Sequence, residues 1–174
     1  MMKIDQGFLP ILGASPKVLI LGSMPSVKSL EQQQYYGNPQ NAFWWIMSEL
    51  FGFNVLEPYE TRINYLTDNK IAVWDVIQAC YRPGSLDSAI DTSTIQANNF
   101  SALLTDHATI KLVIFNGQAA QKIFKKHVLQ SKDLGGFVSG YTGEYLVMPS
   151  TSPANAATSR AMKLKKWRAL NAYL

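Results

Sequence analysis

The stretch Lys17-Val-Leu-Ile-Leu-Gly22 is an unbroken apolar run that ends in glycine, and it decides the fold class of this sequence. A run without polar alternation is typical of a strand covered on both faces, as in a parallel sheet between layers of helices. Three runs of the same kind follow, at residues 70–75, 111–116 and 144–149. The sequence therefore predicts four buried strands in a mainly parallel central sheet.

Helical patterns lie between these runs. Asn38-Pro39 has the residue types of an N-cap followed by proline in the first helical turn, ahead of apolar residues at helical spacing. Helices are also predicted over residues 93–104, over residues 118–128, and from residue 155 or 156 to 173. Strands that alternate with helices indicate an α/β fold. With no internal repeat or linker in the sequence, we expect one domain over residues 1–174.

The composition limits the class of protein. Hydrophobic residues make up 47% of the chain and charged residues 16%, which supports a packed core and argues against disorder. Cys80 is the single cysteine, so a disulfide framework, a four-cysteine zinc site and a self-contained iron–sulfur cluster are excluded. No apolar stretch reaches the ~20 residues of a membrane span, and no signal peptide is recognisable. We expect a cytoplasmic monomer that needs no metal or cofactor.

Polar, irregular segments follow the ends of the predicted strands. In parallel α/β sheets, ligands bind beyond the carboxyl ends of the strands, so these segments are expected to converge on one crevice. They are Gly22-Ser-Met-Pro-Ser26, Asp75, Asn116-Gly117 and Ser150-Thr-Ser-Pro153, with a Gln- and Tyr-rich loop over residues 26–38. The formal net charge of +4 permits an anionic ligand without requiring one.

The most specific motif runs from Gly22-Ser-Met-Pro-Ser26 to Tyr35-Tyr-Gly-Asn-Pro-Gln-Asn-Ala-Phe-Trp44. It resembles the uracil-DNA glycosylase superfamily, particularly its hypoxanthine-DNA (deoxyinosine) glycosylase branch. Phe115-Asn-Gly117 resembles the base-recognition strand end of that superfamily, and the segment 150–155 resembles its second active-site motif and DNA-inserting loop. The resemblance covers most of the chain. It implies a three-layer sandwich and a monofunctional glycosylase that flips deoxyinosine out of DNA and leaves an abasic site.

Two residues of the first motif receive roles by this resemblance. Tyr36 is assigned to stack against the flipped base, and Asn41 corresponds to the catalytic asparagine of the deoxyinosine branch. Cleavage through an oxocarbenium-like sugar needs a positioned water and donors aimed at the leaving base rather than a strong nucleophile. The Asn41 amide can both accept from and donate to such a water. The alternative is an Asn that satisfies backbone groups in the first turn of a helix.

The sequence departs from the superfamily at Met24, where many relatives have an Asp or Asn that activates water. A thioether cannot accept a proton or orient water well, so conventional uracil excision is in doubt and the chemistry shifts toward Asn41. The backbone N–H groups of Ser23 and Met24 can still bind a base carbonyl. Asn38 and Gln40 stand where the deoxyinosine branch is expected to have His and Arg, which removes a donor and a phosphate contact.

Asn116 follows the third predicted strand. Its amide offers one acceptor and two donor hydrogens, which match the N1–H and O6 edge of hypoxanthine and also the N3–H and O4 edge of uracil. Adenine presents the reverse pattern and is rejected only if neighbours hold the amide in one orientation. Asn116 therefore indicates a deaminated base without separating inosine from uracil. The Asn-Gly pair is also common in turns.

The segment after the fourth predicted strand is assigned to DNA by the resemblance, through Ser150, Thr151, Ser152, Pro153, Ala154 and Asn155. Its hydroxyls and amides suit phosphates that flank a flipped nucleotide. Ala154 and Asn155 are small, so any wedge on this loop is weak. The alternative is an ordinary Ser- and Pro-rich turn.

The last predicted helix is basic, with Arg160, Lys163, Lys165, Lys166 and Arg168 and no acidic residue from Tyr145 onward. This cluster either lines a DNA backbone or forms a solvated helix face behind an apolar stripe of Leu164, Trp167 and Leu170.

Other interpretations stay open. Asp75 ends a strand and either activates water in the crevice, caps a turn or anchors Arg82, whereas Asp87 and Ser88 are expected to be turn or capping residues. The partner is double- or single-stranded DNA with a damaged base. Uracil or a mismatched base is the alternative target, and a catalytically weak lesion-binding protein of the same fold is a further alternative. A serine hydrolase using Ser23 and a histidine lacks the G-x-S-x-G motif.

Overall fold

The computed structural model describes residues 3–131 and 141–174. Its centre is a four-stranded parallel sheet in the order β3-β2-β6-β7. The strands are β2 (Val18–Gly22), β3 (Ile71–Asp75), β6 (Leu112–Asn116) and β7 (Glu144–Met148). Every residue of β2 and β3 is buried, as the unbroken apolar runs predict. The predicted α/β class and the four predicted strands are confirmed. The prediction that all four are buried was wrong for β7, which is an edge strand with Glu144 and Val147 exposed.

A second, smaller sheet was not predicted. It is antiparallel, in the order β1-β4-β5, and consists of β1 (Ile4–Gln6), β4 (Ile77–Tyr81) and β5 (Gln96–Ala97). These strands are two to five residues long, and none of them is an unbroken apolar run like those of the parallel sheet. Because β4 begins two residues after β3 ends, the second sheet stands beside the carboxyl end of the first.

Six α-helices are found in the described residues. They are α1 (Val27–Gln32), α2 (Phe43–Phe51), α3 (Tyr59–Asp68), α4 (Phe100–Asp106), α5 (Gln118–Phe124) and α6 (Arg160–Trp167). After α5 the chain continues in a π-helical turn over Lys125–Leu129, so the helix predicted over 118–128 is present. A 3₁₀ segment, Arg168–Tyr173, follows α6. The loop predicted over residues 26–38 contains α1.

Three predicted helix starts were wrong. Helix α2 begins at Phe43, because the Asn38 side chain instead accepts from the Gln40 N–H at 3.1 Å and closes a turn. Helix α4 begins after Asn99, whose side chain accepts from the Ala102 N–H at 3.0 Å. Helix α6 begins after Ser159, whose hydroxyl accepts from the Met162 N–H at 3.2 Å. The starts of α4 and α6 have side-chain N-caps, whereas Ala42 before α2 makes no side-chain cap bond. Several Asn and Ser residues near each start have the same capping propensity.

The core lies between the parallel sheet and its helices. The stripe predicted on the last helix is buried as expected, with Trp167 and Leu170 fully enclosed and Leu164 almost so. No helix among the described residues has both the length and the apolar character that crossing a bilayer would require.

Candidate active site

A cavity of about 380 Å³ opens beyond the carboxyl ends of the parallel strands. It collects residues from the turn after β2, the end of β3, the end of β6 and the segment after β7, as the sequence predicts. The predicted site residues that line it are Ser23, Met24, Tyr36, Asn41, Asn116, Ser150, Thr151, Ser152, Ala154 and Asn155. Pro153 is the one predicted site residue that is not among the lining residues.

Asn41 lies two residues before the start of α2. Its Oδ1 accepts a hydrogen bond from the Phe43 N–H at 2.9 Å, and its own N–H donates to Asn38 O at 2.9 Å. The first bond fixes which end of the amide is oxygen and uses one of the two Oδ1 lone pairs. The side chain thus satisfies a local backbone group, as the structural alternative predicts. It also lines the cavity, where the proposed water would have to lie.

Tyr36 has a left-handed backbone conformation, with φ at 54°. Its ring stacks on Phe43, with 3.9 Å between ring centroids and 19° between the planes. Its hydroxyl is buried and has no hydrogen-bond partner among the described residues. Burial, and secondarily the Asp75 charge, raise the pKa of the Tyr36 hydroxyl well above its ordinary value. Tyr36 is therefore a neutral, rigidly backed aromatic surface of the cavity.

Gly22 permits two polar groups to approach each other at the end of β2. A Cβ at this position would overlap Asp75 Oδ1 and would lie 3.3 Å from the Tyr36 hydroxyl oxygen. The missing side chain thus leaves room for a carboxyl group and a phenol beside the same backbone atom. Substitution of Gly22 by any larger residue would displace one of them.

Asp75 is 4% exposed, and its Oδ2 has no hydrogen-bond partner in the described part of the chain. Burial is the main reason that the pKa of Asp75 is raised to about 7; the nearby Asp87 charge raises it further, and Arg82 opposes the shift. An unpaired buried carboxylate is costly, so the proton is retained to much higher pH than in water. Asp75 is therefore a group that changes charge near neutral pH inside the cavity.

Thr151 is fully buried and ties together two predicted site residues. Its N–H donates to Asn116 Oδ1 at 2.9 Å, and its hydroxyl accepts from Asn116 Nδ2 at 2.9 Å. Its carbonyl accepts from the Ala42 N–H at 2.9 Å, next to Asn41. This network holds the Asn116 amide in one orientation. It also uses one edge of that amide, so one Nδ2 hydrogen and one Oδ1 lone pair remain for a ligand.

A wall of the cavity that the sequence did not predict comes from residues 85–88, in the segment after β4. The Ser23 hydroxyl donates to both carboxylate oxygens of Asp87 at 2.7 Å. The prediction that Asp87 is only a turn residue was therefore incomplete, because its carboxylate also holds the first motif. Burial is the main reason that the pKa of Asp87 is raised, and the Ser23 hydrogen bond and Arg82 oppose the shift.

Arg82 anchors this wall. It is 4% exposed, and its Nη2 donates to Pro25 O at 2.6 Å and forms an ion pair with Asp5 at 3.4 Å. The proposed anchoring of Arg82 by Asp75 is thus not the contact that forms. The Val27 N–H donates to Ser85 Oγ at 2.9 Å, which joins the same wall to α1. The sequence signal that could have identified this wall is the apolar Leu86 within the polar run Gly84-Ser-Leu-Asp-Ser88.

The segment after β7 is held by its own hydrogen bonds. Asn155 Nδ2 donates to Ser150 O at 3.1 Å, and the Ser152 N–H donates to Ser150 Oγ at 3.2 Å. The Lys163 ammonium donates to Ser152 O at 3.1 Å. Lys163 is 4% exposed, so it supports this loop and does not belong to the basic surface formed by its exposed neighbours on α6.

Gly117, at the end of β6, has a φ of 98°, a conformation that favours glycine. A Cβ there would lie 2.8 Å from the Ser150 side chain. Glycine thus permits the close approach that brings Asn116 to the segment after β7.

The remaining chemistry suggested by the sequence does not form. Ser23 is bonded to Asp87, and neither His107 nor His127 is a lining residue of the cavity, so the Ser–His arrangement of a serine hydrolase is not formed. Within residues 3–131 and 141–174, no cluster of three or more His, Cys, Asp or Glu is arranged to hold a metal ion.

This chain is similar to known proteins in sequence and in fold. The model of the uracil DNA glycosylase superfamily matches residues 10–174. A hypoxanthine DNA glycosylase of Methanosarcina acetivorans is 36% identical over 168 residues, covering 96% of this chain and 98% of the relative. Another, of Methanosarcina barkeri, is 40% identical over 114 residues, covering 65% of this chain and 71% of the relative.

A solved structure has the same fold. The solution NMR structure of a Methanosarcina acetivorans protein, described as a candidate uracil DNA glycosylase, superposes with a TM-score of 0.76 at 35% identity. The match covers 97% of this chain and 99% of that structure. Sequence and fold therefore lead to the same conclusion: this chain belongs to the uracil DNA glycosylase superfamily.

Proposed function

We propose that this protein is a monofunctional DNA glycosylase that flips deoxyinosine out of DNA and hydrolyses its N-glycosidic bond, leaving an abasic site. The observation that carries the proposal is that Tyr36, Asn41 and Asn116 line one cavity at the carboxyl end of the sheet. The curated relatives named hypoxanthine DNA glycosylase support the choice of base. We expect the protein to act as a cytoplasmic monomer on double- or single-stranded DNA.

Asn41 is proposed as the residue that positions water. Because Phe43 N–H fixes its Oδ1, the amide is held by the backbone at the start of α2, and its Nδ2 and second Oδ1 lone pair can contact a water. Water placed beneath the sugar carbon meets an oxocarbenium-like centre, which requires position more than nucleophilicity. Fixing that water in advance lowers the barrier without activating it as hydroxide.

The base is proposed to stack on Tyr36 and to contact Asn116. Since Phe43 supports one face of the Tyr36 ring, stacking a purine needs little rearrangement of the aromatic residue. Thr151 occupies one edge of the Asn116 amide, and the remaining Nδ2 hydrogen and Oδ1 lone pair point away from each other. Asn116 therefore gives the base one hydrogen bond rather than a matched pair. The backbone N–H groups of Ser23 and Met24 are proposed to supply further donors to a base carbonyl.

The proposed DNA contacts are Ser150, Ser152, Pro153, Ala154 and Asn155. Their loop is already ordered by its own hydrogen bonds and by Lys163, so little entropy is lost when it meets a phosphate. Thr151 is fully buried, so its part is to position Asn116 rather than to touch DNA.

The test is an excision assay on end-labelled duplexes that carry one inosine, one uracil or no lesion, followed by alkaline cleavage of abasic sites. We expect cleavage at inosine and none in the undamaged duplex. Abasic sites formed only at uracil would replace the substrate assignment with the uracil alternative. Tight binding to inosine-containing DNA without base release would instead support the lesion-binding alternative.

A further inference from the structure

One exposed apolar side chain that lines the cavity has no role in the proposed reaction. Leu86 is 58% exposed and lines the cavity. Of the exposed large apolar side chains in the described residues, it alone does so; Leu9 and Leu56 are 87% and 85% exposed and are not lining residues. An isolated exposed leucine needs no explanation, but one at a ligand cavity indicates a contact made on binding.

The residues on both sides of Leu86 are fixed. Ser85 Oγ accepts from the Val27 N–H at 2.9 Å, and the Asp87 carboxylate accepts from the Ser23 hydroxyl at 2.7 Å. The Ala89 N–H donates to Leu86 O at 3.0 Å, which closes a 3₁₀ turn directly after it. Leu86 is therefore carried on a segment bonded to the first motif, so presenting its side chain to a ligand costs little further ordering of the backbone.

The lining residues from the segment after β7 include no comparable side chain. The segment after β7, which the family resemblance assigns to DNA insertion, has the small residues Ala154 and Asn155 lining the cavity. Flipping a nucleotide leaves a gap in the base stack, and proteins that open base steps fill such gaps with apolar side chains such as leucine.

We propose that Leu86 is the wedge that enters the base stack and occupies the gap left by the flipped nucleotide. The proposal rests on the proposed glycosylase function. It assigns insertion to the wall formed by residues 85–88, next to the motif that receives the base, and leaves the 150–155 loop to bind the DNA backbone. A single-stranded substrate has no stacked partner strand to hold the base in place, so the wedge matters for duplex DNA.

The experiment compares Leu86→Ala with wild type in single-turnover excision of inosine from duplex and from single-stranded DNA. We expect a loss of roughly ten- to a hundredfold on duplex DNA, the scale of burying one leucine, and less than about twofold on single strands. Leu56→Ala removes a more exposed leucine that does not line the cavity and is expected to leave both rates unchanged. Leu86→Phe, which keeps an apolar wedge, is expected to restore most of the duplex rate.

A second measurement does not depend on catalysis. The fluorescence of 2-aminopurine placed next to inosine in a duplex rises when its neighbour leaves the stack, and Leu86→Ala is expected to reduce that rise. Equal losses on duplex and single-stranded DNA, or no loss on duplex, would overturn the wedge. Wild type that releases no base but gives the full fluorescence rise, lost in Leu86→Ala, would overturn the proposed function and keep the wedge. No rise with wild type would overturn the wedge.

Discussion

The cavity has two walls that differ in how their polar groups are satisfied. On the amide wall, formed by Asn41, Asn116 and Thr151, the side chains are engaged in hydrogen bonds of 2.9 Å. On the carboxyl wall, formed by Asp75 and Asp87, Ser23 bonds Asp87 while Asp75 Oδ2 is buried without a partner in the described residues. One wall is held in a single arrangement, and the other contains an unsatisfied acid.

This difference separates two tasks. A satisfied network fixes atoms where a reaction needs them, because each amide has its orientation set by a neighbour. An unpaired buried carboxyl instead costs stability and changes charge near neutral pH, which is typical of functional sites rather than of structural cores. We therefore expect substitutions on the amide wall to change geometry and rate, and substitutions on the carboxyl wall to change pH dependence.

The largest effect is expected from Asn41→Ala. Removing the group proposed to hold water should slow base release by about a hundred- to a thousandfold, the scale measured when one preorganised polar group is lost. Asn54→Ala is a matched control, because Asn54 Oδ1 accepts from the Leu56 N–H at 2.9 Å in the same local geometry but outside the cavity. Single-turnover excision and thermal unfolding of both variants separate the loss of water positioning from the loss of the local backbone hydrogen bond. Near-native turnover in Asn41→Ala would contradict the assignment.

Asp75→Asn should alter how stability depends on pH. The pKa of Asp75 is raised from 3.8 to about 7, so the native state binds this proton more tightly than the unfolded state. Protonation of Asp75 therefore contributes its full share to the free energy of unfolding below about pH 4. This contribution falls as the pH rises and is lost above about pH 7. At pH 8 we expect Asp75→Asn to be more stable than wild type, by at most about 4 kcal/mol.

Urea unfolding between pH 4 and pH 8 measures this change. Asp91→Asn is the control, because hydrogen bonds from Ser93 lower the pKa of that surface carboxyl and its contribution has the opposite sign. Excision by Asp75→Asn should also decline less above pH 7, since an ionised Asp75 repels a base that departs with negative charge. An inactive Asp75→Asn at every pH would instead assign Asp75 to the chemistry and contradict the division between the walls.

The parallel sheet could be predicted because its strands are continuous apolar runs, without the alternation of apolar and polar residues that marks a half-exposed strand. Runs such as Val18-Leu-Ile-Leu21 are buried on both faces, so every residue in them must be apolar. Polar residues directly after these strands were then bound to meet at one edge, which is how Ser23, Asp75 and Asn116 were predicted to share a crevice.

The place of Asp87 in the carboxyl wall could not be predicted, because it depends on a long-range contact. Ser23 and Asp87 are 64 residues apart in sequence, and they meet because β4, in the short antiparallel sheet, carries the chain back beside the first motif. Lys163 shows a similar limit, since its position in a basic helix indicated exposure while one hydrogen bond to Ser152 O keeps it buried. Tertiary contacts decide both cases, and local patterns do not contain them.

The smallest effect is expected from Thr151→Val, which tests whether the amide wall owes its arrangement to one hydroxyl. Valine keeps the volume but leaves Asn116 Nδ2 without the Thr151 acceptor, at a cost of about 1 kcal/mol in the free energy of unfolding. The loosened amide can then rotate, so excision should discriminate less between hypoxanthine and adenine. Thr151→Ser keeps the hydroxyl and should keep that discrimination. If Thr151→Val matches wild type in urea unfolding and in the ratio of the two excision rates, the Asn116 orientation must instead be set by the backbone N–H of residue 151 alone.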